Sequence, residues 1–224
     1  MNPINVTLLR TDAAYRGKVS DFLSMTPKMR AQGTLIGHVR NLHASGRVPA
    51  NVRIDVVDVG CGAGPDLNRF LKAELFSGQK VRAVGLDRVS EMLEAAGEHF
   101  NLPETALVHG CMTDFGKLFP NNSVVAIWCR ASLFNVPSEL HASVLEQFRS
   151  SLIPEGVLFL RLKEGQGIIS REDGRQEKLY TKAEIRASLM TIGFHVGRIV
   201  NYKDELGRSD VSWIGVWARK PFPA

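Results

Sequence analysis

Residues 56–66, VVDVGCGAGPD, constrain the fold more than any other stretch of the chain. β-Branched residues closing on Asp58 read as a buried strand, and glycines at 60, 62 and 64 then break it. Pro65 and Asp66 suit the first turn of a following helix, because proline has no N–H to waste there and an acid favours the positive end of the helix dipole. A strand, a glycine loop and a helix in this order turn backbone N–H groups toward whatever lies above the carboxyl edge of a parallel sheet. Glycine permits positive φ and removes β-carbons from a ligand's path. A dinucleotide loop of the G-x-G-x-x-G kind needs glycine at 65, but Pro65 stands there and Gly64 comes one place early, which disfavours NAD and FAD.

The rest of the chain agrees with such a sheet. Its 224 residues, 44% hydrophobic and 23% charged, suffice for one sizeable core. Strand patterns over 53–59, 81–86, 106–109, 124–129, 157–162, 195–202 and 211–218 alternate with helical patterns, as in a parallel sheet flanked by helices. Only the polar turn 203–210 separates the last two, so they are expected to pair as an antiparallel hairpin. Ser138 precedes a helix carrying Leu140, Val144, Leu145 and Phe148, and Thr181 with Glu184 forms a capping box. Residues 1–50 read as an N-terminal helical extension before a domain at 51–224. Thr26 and Pro27 start a helix in which Leu35, Ile36, Val39 and Leu42 recur at helical spacing. That segment either plugs one side of the sheet or folds over a ligand as a lid. Among the histidines, His109 and His195 sit in strand patterns and are expected in the core, whereas His38 and His43 belong to the extension.

Several classes fall away on composition. No run approaches the roughly 18–20 apolar residues of a bilayer span, and the N-terminus lacks the order of a secretory signal, so a cytoplasmic location and no membrane partner are expected. Cys61, Cys111 and Cys129 form no C-x-x-C pair and read as reduced thiols rather than as a disulfide or zinc set. The net charge of +5 admits an anionic partner such as RNA. The basic residues are nevertheless scattered among acids, which argues against a nucleic-acid partner.

Asp58, Gly60, Gly62 and Gly64 match the D-x-G-x-G-x-G pattern at every position, and here the sequence resembles the class I S-adenosylmethionine-dependent methyltransferases. The resemblance continues at VGLDRVSEML, where Asp87 ends the second strand, and covers about residues 52–219. It implies a three-layer α/β Rossmann-like methyltransferase fold whose seven-stranded, mostly parallel sheet has an antiparallel last strand. It also implies S-adenosylmethionine as cofactor, with S-adenosylhomocysteine as product. The cofactor residues it implies are Asp58, Gly60, Cys61, Gly62, Gly64, Asp87, Arg88, Cys111, Met112 and Arg130. Asp87 would accept two hydrogen bonds from a ribose diol. In HGCMTDF, Cys111 occupies a position where many members carry an acid, so Asp114 or a backbone group is the expected substitute, with Met112 either on the purine face or in the core. In VVAIWCRASLFNVP, Arg130 comes beside the cofactor, and Asn135 stands where many relatives have histidine. LIPEGVLFLRLKEGQG matches the following P-G-G-x-L strand with Glu155 for the first glycine, and the later segments are similar to bacterial enzymes that modify small molecules.

Methyl transfer from a sulfonium is an in-line displacement. The protein must hold nucleophile, methyl carbon and sulfur collinear in a dry pocket, and it needs a base only where the acceptor carries a proton. The acceptor candidates are Tyr15, Phe134, Asn135, Lys163 and Arg171, and the catalytic candidates are Tyr15, Asn135 and Tyr180, with no residue named as base. No metal is expected, since Arg130 stands where a magnesium-dependent enzyme of this kind needs a carboxylate. The expected function is O-, N- or C-methylation of a small molecule by a monomer or homodimer. An RNA methyltransferase and a protein that binds the cofactor without transferring methyl remain open.

Overall fold

The computed structural model describes residues 3–24, 30–204 and 207–223. Seven strands form one sheet: β1 (Ile54–Val59), β2 (Ala83–Asp87), β3 (Leu107–His109), β4 (Val124–Arg130), β5 (Leu152–Lys163), β6 (His195–Tyr202) and β7 (Trp213–Arg219). Their order across the sheet is β6-β7-β5-β4-β1-β2-β3. Every pairing from β5 through β4, β1 and β2 to β3 is parallel, while β7 lies antiparallel between β5 and β6. The fold is therefore the expected three-layer Rossmann-like methyltransferase fold.

Burial explains this order. Val124 through Cys129 on β4 and Val56, Val57 and Val59 on β1 are wholly or almost wholly buried, as befits central parallel strands covered on both faces. β7 is as apolar as these because it is interposed, although it comes last in the chain. β3 and β6 are the edge strands, and each keeps one wet face. His109 and His195, expected in the core, are accordingly exposed. β5 begins five residues earlier than its apolar run suggests, because Pro154 and the positive φ of Glu155 (64°) interrupt the pattern without ending the pairing of Leu152 with Val124.

The helices are α1 (Pro3–Arg16), α2 (Val19–Ser24), α3 (Arg30–Ala44), α4 (Pro65–Lys72), α5 (Ser90–Phe100), α6 (Phe115–Leu118), α7 (His141–Ser151) and α8 (Lys182–Ile192). α3 and α4 cover one face, where Leu35, Val39, Leu67 and Phe70 pack on Val56, Trp128, Phe159 and Trp217. α7 and α8 cover the other with Phe148, Ile185 and Leu189. α8 starts as the sequence indicates, with the Glu184 N–H donating to Thr181 Oγ1 at 3.1 Å. Only half of the capping box forms, because the Glu184 carboxylate pairs with Lys178 at 2.6 Å.

The N-terminal extension divides between two locations. α3 belongs to the core, and its His43 binds the fully buried Asp55 at 2.8 Å. α1 and α2 instead pack Tyr15, Val19, Phe22 and Leu23 onto Ala63, Val89 and Met92, beside the carboxyl edge of the sheet. Thr26, Pro27 and Met29 lie outside the described residues. Among the described residues no helix is long and apolar enough to cross a membrane.

Candidate active site

A cavity of about 240 Å³ opens at the carboxyl ends of β1, β2 and β4. Asp58, Gly60, Cys61, Gly62, Asp87, Arg88, Cys111, Met112 and Arg130 line it, joined by Tyr15 from α1 and Asn135 from the turn after β4.

The three glycines of the loop have three different reasons to be glycine. All have positive φ, 68° at Gly60, 53° at Gly62 and 79° at Gly64. A β-carbon on Gly60 would stand 2.3 Å from that of Ser132, and one on Gly64 would stand 2.8 Å from that of Ala96. Gly62 alone faces open space. Gly64, expected among the cofactor contacts, is outside the cavity wall and caps α4, because its bare backbone admits α5.

Asp87 ties this loop to β2. Its Oδ2 accepts the Gly62 N–H at 2.8 Å and its Oδ1 accepts the Val89 N–H at 2.9 Å. Burial raises its carboxyl above the usual range, although these N–H groups oppose the shift. Asp58 is 2% exposed, and its Oδ2 has no hydrogen-bond partner. Burial first, and the charge of Asp66 second, push it well above the usual carboxylate range, against the pull of Arg130.

Asp66 is a hub that sequence reasoning cast only as a first-turn acid. Its buried carboxylate accepts from Trp128 Nε1 at 3.0 Å and from Arg130 Nε at 2.7 Å, and it also binds the amide of Gln32 on α3. Arg130 is thereby fixed in the cavity wall. Arg88 in turn donates to Asp12 of α1 at 3.0 Å, and its guanidinium lies 3.7 Å from Cys111 Sγ. Asp114, the expected substitute for an acid at 111, is instead held by Lys117 at 2.5 Å and does not reach the cavity wall. Through Arg88, that corner is linked to the carboxylate of Asp12.

Tyr15 accepts an N–H from Arg175 at 3.0 Å, and the same guanidinium lies 4.9 Å over its ring. Arg175 stands on the hairpin Ile168–Ser170 with Gln176–Lys178, so the bond ties α1 to that hairpin. Burial raises the Tyr15 hydroxyl above its ordinary value, which keeps it protonated near neutrality. Asn135 is 7% exposed, and its Oδ1 has no partner. It follows Ala131, whose positive φ of 58° is a strained conformation for a residue with a side chain.

The other acceptor candidates do not reach the cavity wall. Phe134 turns into the core against Trp213, with ring centroids 5.8 Å apart. Lys163 and Arg171 both bind the buried Glu177, at 2.6 Å each, so that carboxylate and not a ligand meets their charge. The Tyr180 hydroxyl binds Nδ1 of the buried His141, whose Nε2 donates to the Val136 carbonyl at 2.7 Å. That contact holds the turn carrying Asn135 from behind. In place of these residues the wall contains Arg161, Asp204 and Arg208. The Arg161 guanidinium lies 4.7 Å over the Trp213 ring, and Arg208 pairs with Asp204 at 2.7 Å. An arginine interrupting the apolar run VLFLRLK was the one signal in the sequence that pointed to Arg161.

Asp58 Oδ2 without a partner, the bare Gly62 backbone facing open space and a fixed Arg130 give the cavity a carboxyl group, bare backbone and a cation, a set that fits an amino-acid nucleoside. The family profile described as a methyltransferase domain matches residues 56–156, the stretch that carries the loop, Asp58, Asp87 and Arg130. No curated protein sequence matches the chain significantly. Among solved structures, the chain is similar to the Burkholderia thailandensis 1,6-didemethyltoxoflavin-N1-methyltransferase (18% identity, TM-score 0.72), with 99% of this chain and 92% of that one covered. It is also similar to an S-adenosylmethionine-dependent methyltransferase from Mesorhizobium loti (17% identity, TM-score 0.54, covering 83% of this chain and 99% of that one). A third similar structure is the [4+2]-cyclase SpnF (15% identity, TM-score 0.58, covering 82% and 81%). Because the matched domain and the glycine loop with its strand-end acid fall on the same residues, the chain carries a methyltransferase domain whose cofactor is S-adenosylmethionine.

Proposed function

We propose that this enzyme methylates a small, flat acceptor held between α1 and the turn after β4. The observation that carries this reading is enclosure. The cavity wall takes in Tyr15 and Phe22 from the N-terminal helices, which leaves a chamber of about 240 Å³ rather than an open basic track. The similarity along almost the whole chain to an enzyme crystallised with 1,6-didemethyltoxoflavin supports an acceptor of that size class.

Bound S-adenosylmethionine supplies an electrophilic methyl group on a sulfonium. Asp87 would accept from the ribose diol, and Asp58 would present its partnerless oxygen to the ammonium group. Arg130, braced by Asp66, would hold the carboxylate, and Cys111 and Met112 would hold the purine. α1 and α2 act as the lid. Lys18 reaches Asp173 at 3.0 Å, and Arg175 holds Tyr15, so two contacts fasten the lid to the hairpin. Closure excludes water from the reacting atoms.

No histidine lines this cavity among the described residues, and of its acids Asp12, Asp66 and Asp204 are paired with Arg88, Arg130 and Arg208, while Asp58 and Asp87 are taken up by the cofactor. Tyr15 stays protonated and serves as a donor. The acceptor therefore reacts at an atom that needs no protein base, such as a ring nitrogen or an already ionised oxygen, with Tyr15 and Asn135 orienting it. The test is incubation with methyl-labelled S-adenosylmethionine, a metabolite extract and, separately, total RNA. Label should enter a low-mass compound. Label in RNA, or none anywhere despite tight S-adenosylhomocysteine binding, would overturn the proposal.

A further inference from the structure

At the opposite edge of the sheet, where β5 and β6 begin and β7 ends, lies a second cavity of about 520 Å³ that shares no residue with the first. Its walls come from α3 and the segment after it, and from β5, β6 and β7. Trp217 and His38 form an aromatic corner with ring centroids 5.8 Å apart. Trp217 is 7% exposed, and its indole N–H is buried without an acceptor. Leaving such a donor unmet is costly, and an incoming ligand oxygen is one way to satisfy it.

Charge gives the chemistry. Arg47, Arg198 and Arg219 surround this corner against a single acid, Glu155, which already binds Arg219 and lies 3.9 Å from Arg47. Partial burial, and then the charge of Arg198, hold His38 below its ordinary value, so its ring is neutral near pH 7 and offers a flat face rather than another cation. The β6 ladder slips between Val196 and Ile199, which frees Gly197 and Arg198 from regular pairing beside the cavity. An aromatic corner next to surplus guanidinium charge suits a ring that bears a dianion. The volume lies in the range of small-ligand sites.

We propose that this second cavity is a binding site for a free mononucleotide, with the base against Trp217 and His38 and the phosphate among Arg47, Arg198 and Arg219. It is independent of the methyl-transfer cavity and of the acceptor assigned there.

The probe is adenosine 5′-monophosphate, titrated calorimetrically into the full chain saturated with S-adenosylhomocysteine, so that the first cavity is blocked. Binding is expected at roughly 10–300 µM, with adenosine and inorganic phosphate each at least about tenfold weaker. Arg198→Ala should weaken it by about tenfold, and Trp217→Phe, which keeps a ring but removes the N–H, by about fivefold. S-adenosylhomocysteine affinity should not change in either variant. Absence of heat at millimolar nucleotide, displacement by excess S-adenosylhomocysteine, or equal affinity in Arg198→Ala would overturn the site. A 5′-phosphorylated oligoribonucleotide binding far more tightly than the mononucleotide would overturn its assignment to a free nucleotide.

Discussion

Replacing Asp66 with asparagine tests whether the cofactor site is braced from within the core. The carboxylate accepts from Trp128, Arg130 and Gln32, and thus joins α4, β4 and α3 at one point. Asparagine has the same shape but a single acceptor oxygen, and its amide turns donors onto donors. Breaking a buried ion pair from one side costs about 3–5 kcal/mol. Two features reduce that figure here. The Arg130 side chain keeps 16% exposure toward the cavity, and the partnerless Oδ2 of Asp58 becomes an alternative counter-charge once the repulsion of Asp66 is gone. The expected loss is therefore about 2–3 kcal/mol, or about 5–10 °C in Tm for a chain of this length. Arg130 would also turn toward Asp58, weakening S-adenosylhomocysteine by about tenfold. Urea unfolding near neutrality measures the first quantity and titration calorimetry the second. A stability loss below about 1 kcal/mol together with an unchanged Kd would refute the bracing argument.

Three further outcomes follow from other contacts. Because burial raises the Asp58 carboxyl in the folded protein, its contribution to stability is present at acid pH and is lost as pH rises through the raised value. Cofactor binding, which needs the ionised form, should tighten over that same rise, and a pH profile of Kd that is identical in Asp58→Asn would exclude this role. Gly62→Ala and Gly64→Ala should separate ligand from packing. The first places a methyl in the cavity and should weaken the cofactor by more than about tenfold, whereas the second meets Ala96 and should cost about 2–4 kcal/mol of stability with little loss of affinity. Equal effects in the two assays would contradict the division. Arg175→Met removes both the bond to Tyr15 and the stacked cation, worth about 1–2 kcal/mol of α1 docking. The acceptor KM should rise and amide exchange in α1 quicken while the core stays protected, and unchanged exchange would detach Tyr15 from the lid.

What was legible in the sequence was the part encoded by neighbours along the chain. Asp58, the glycines and Pro65 lie within eight residues, and Asp87 ends the strand that pairs with theirs, so periodicity and turn chemistry suffice to place them. The acceptor side and the braces behind the cofactor loop are built differently. Asp12 meets Arg88 across 76 residues of sequence, Trp128 meets Asp66 across 62, and Tyr15 meets Arg175 across 160. No local pattern marks such partners, and an acid in a first helical turn looks the same whether it caps a dipole or anchors a buried arginine. The turn after β4 adds a second difficulty, because the positive φ of Ala131 resets the phase of the side chains that follow. Phe134 then turns inward and Asn135 reaches the cavity, which alternation along the strand does not forecast. Lys163, Arg171 and Tyr180 looked like ligand contacts because they are polar groups near a pocket, yet Glu177 and His141 already satisfy them. A cofactor site written in contiguous residues and an acceptor site assembled from distant ones can change independently. Substitutions at Tyr15, Asn135 or Arg161 should therefore alter which acceptor is used while leaving S-adenosylhomocysteine affinity nearly intact, and a parallel fall in both affinities would show that the two halves are one.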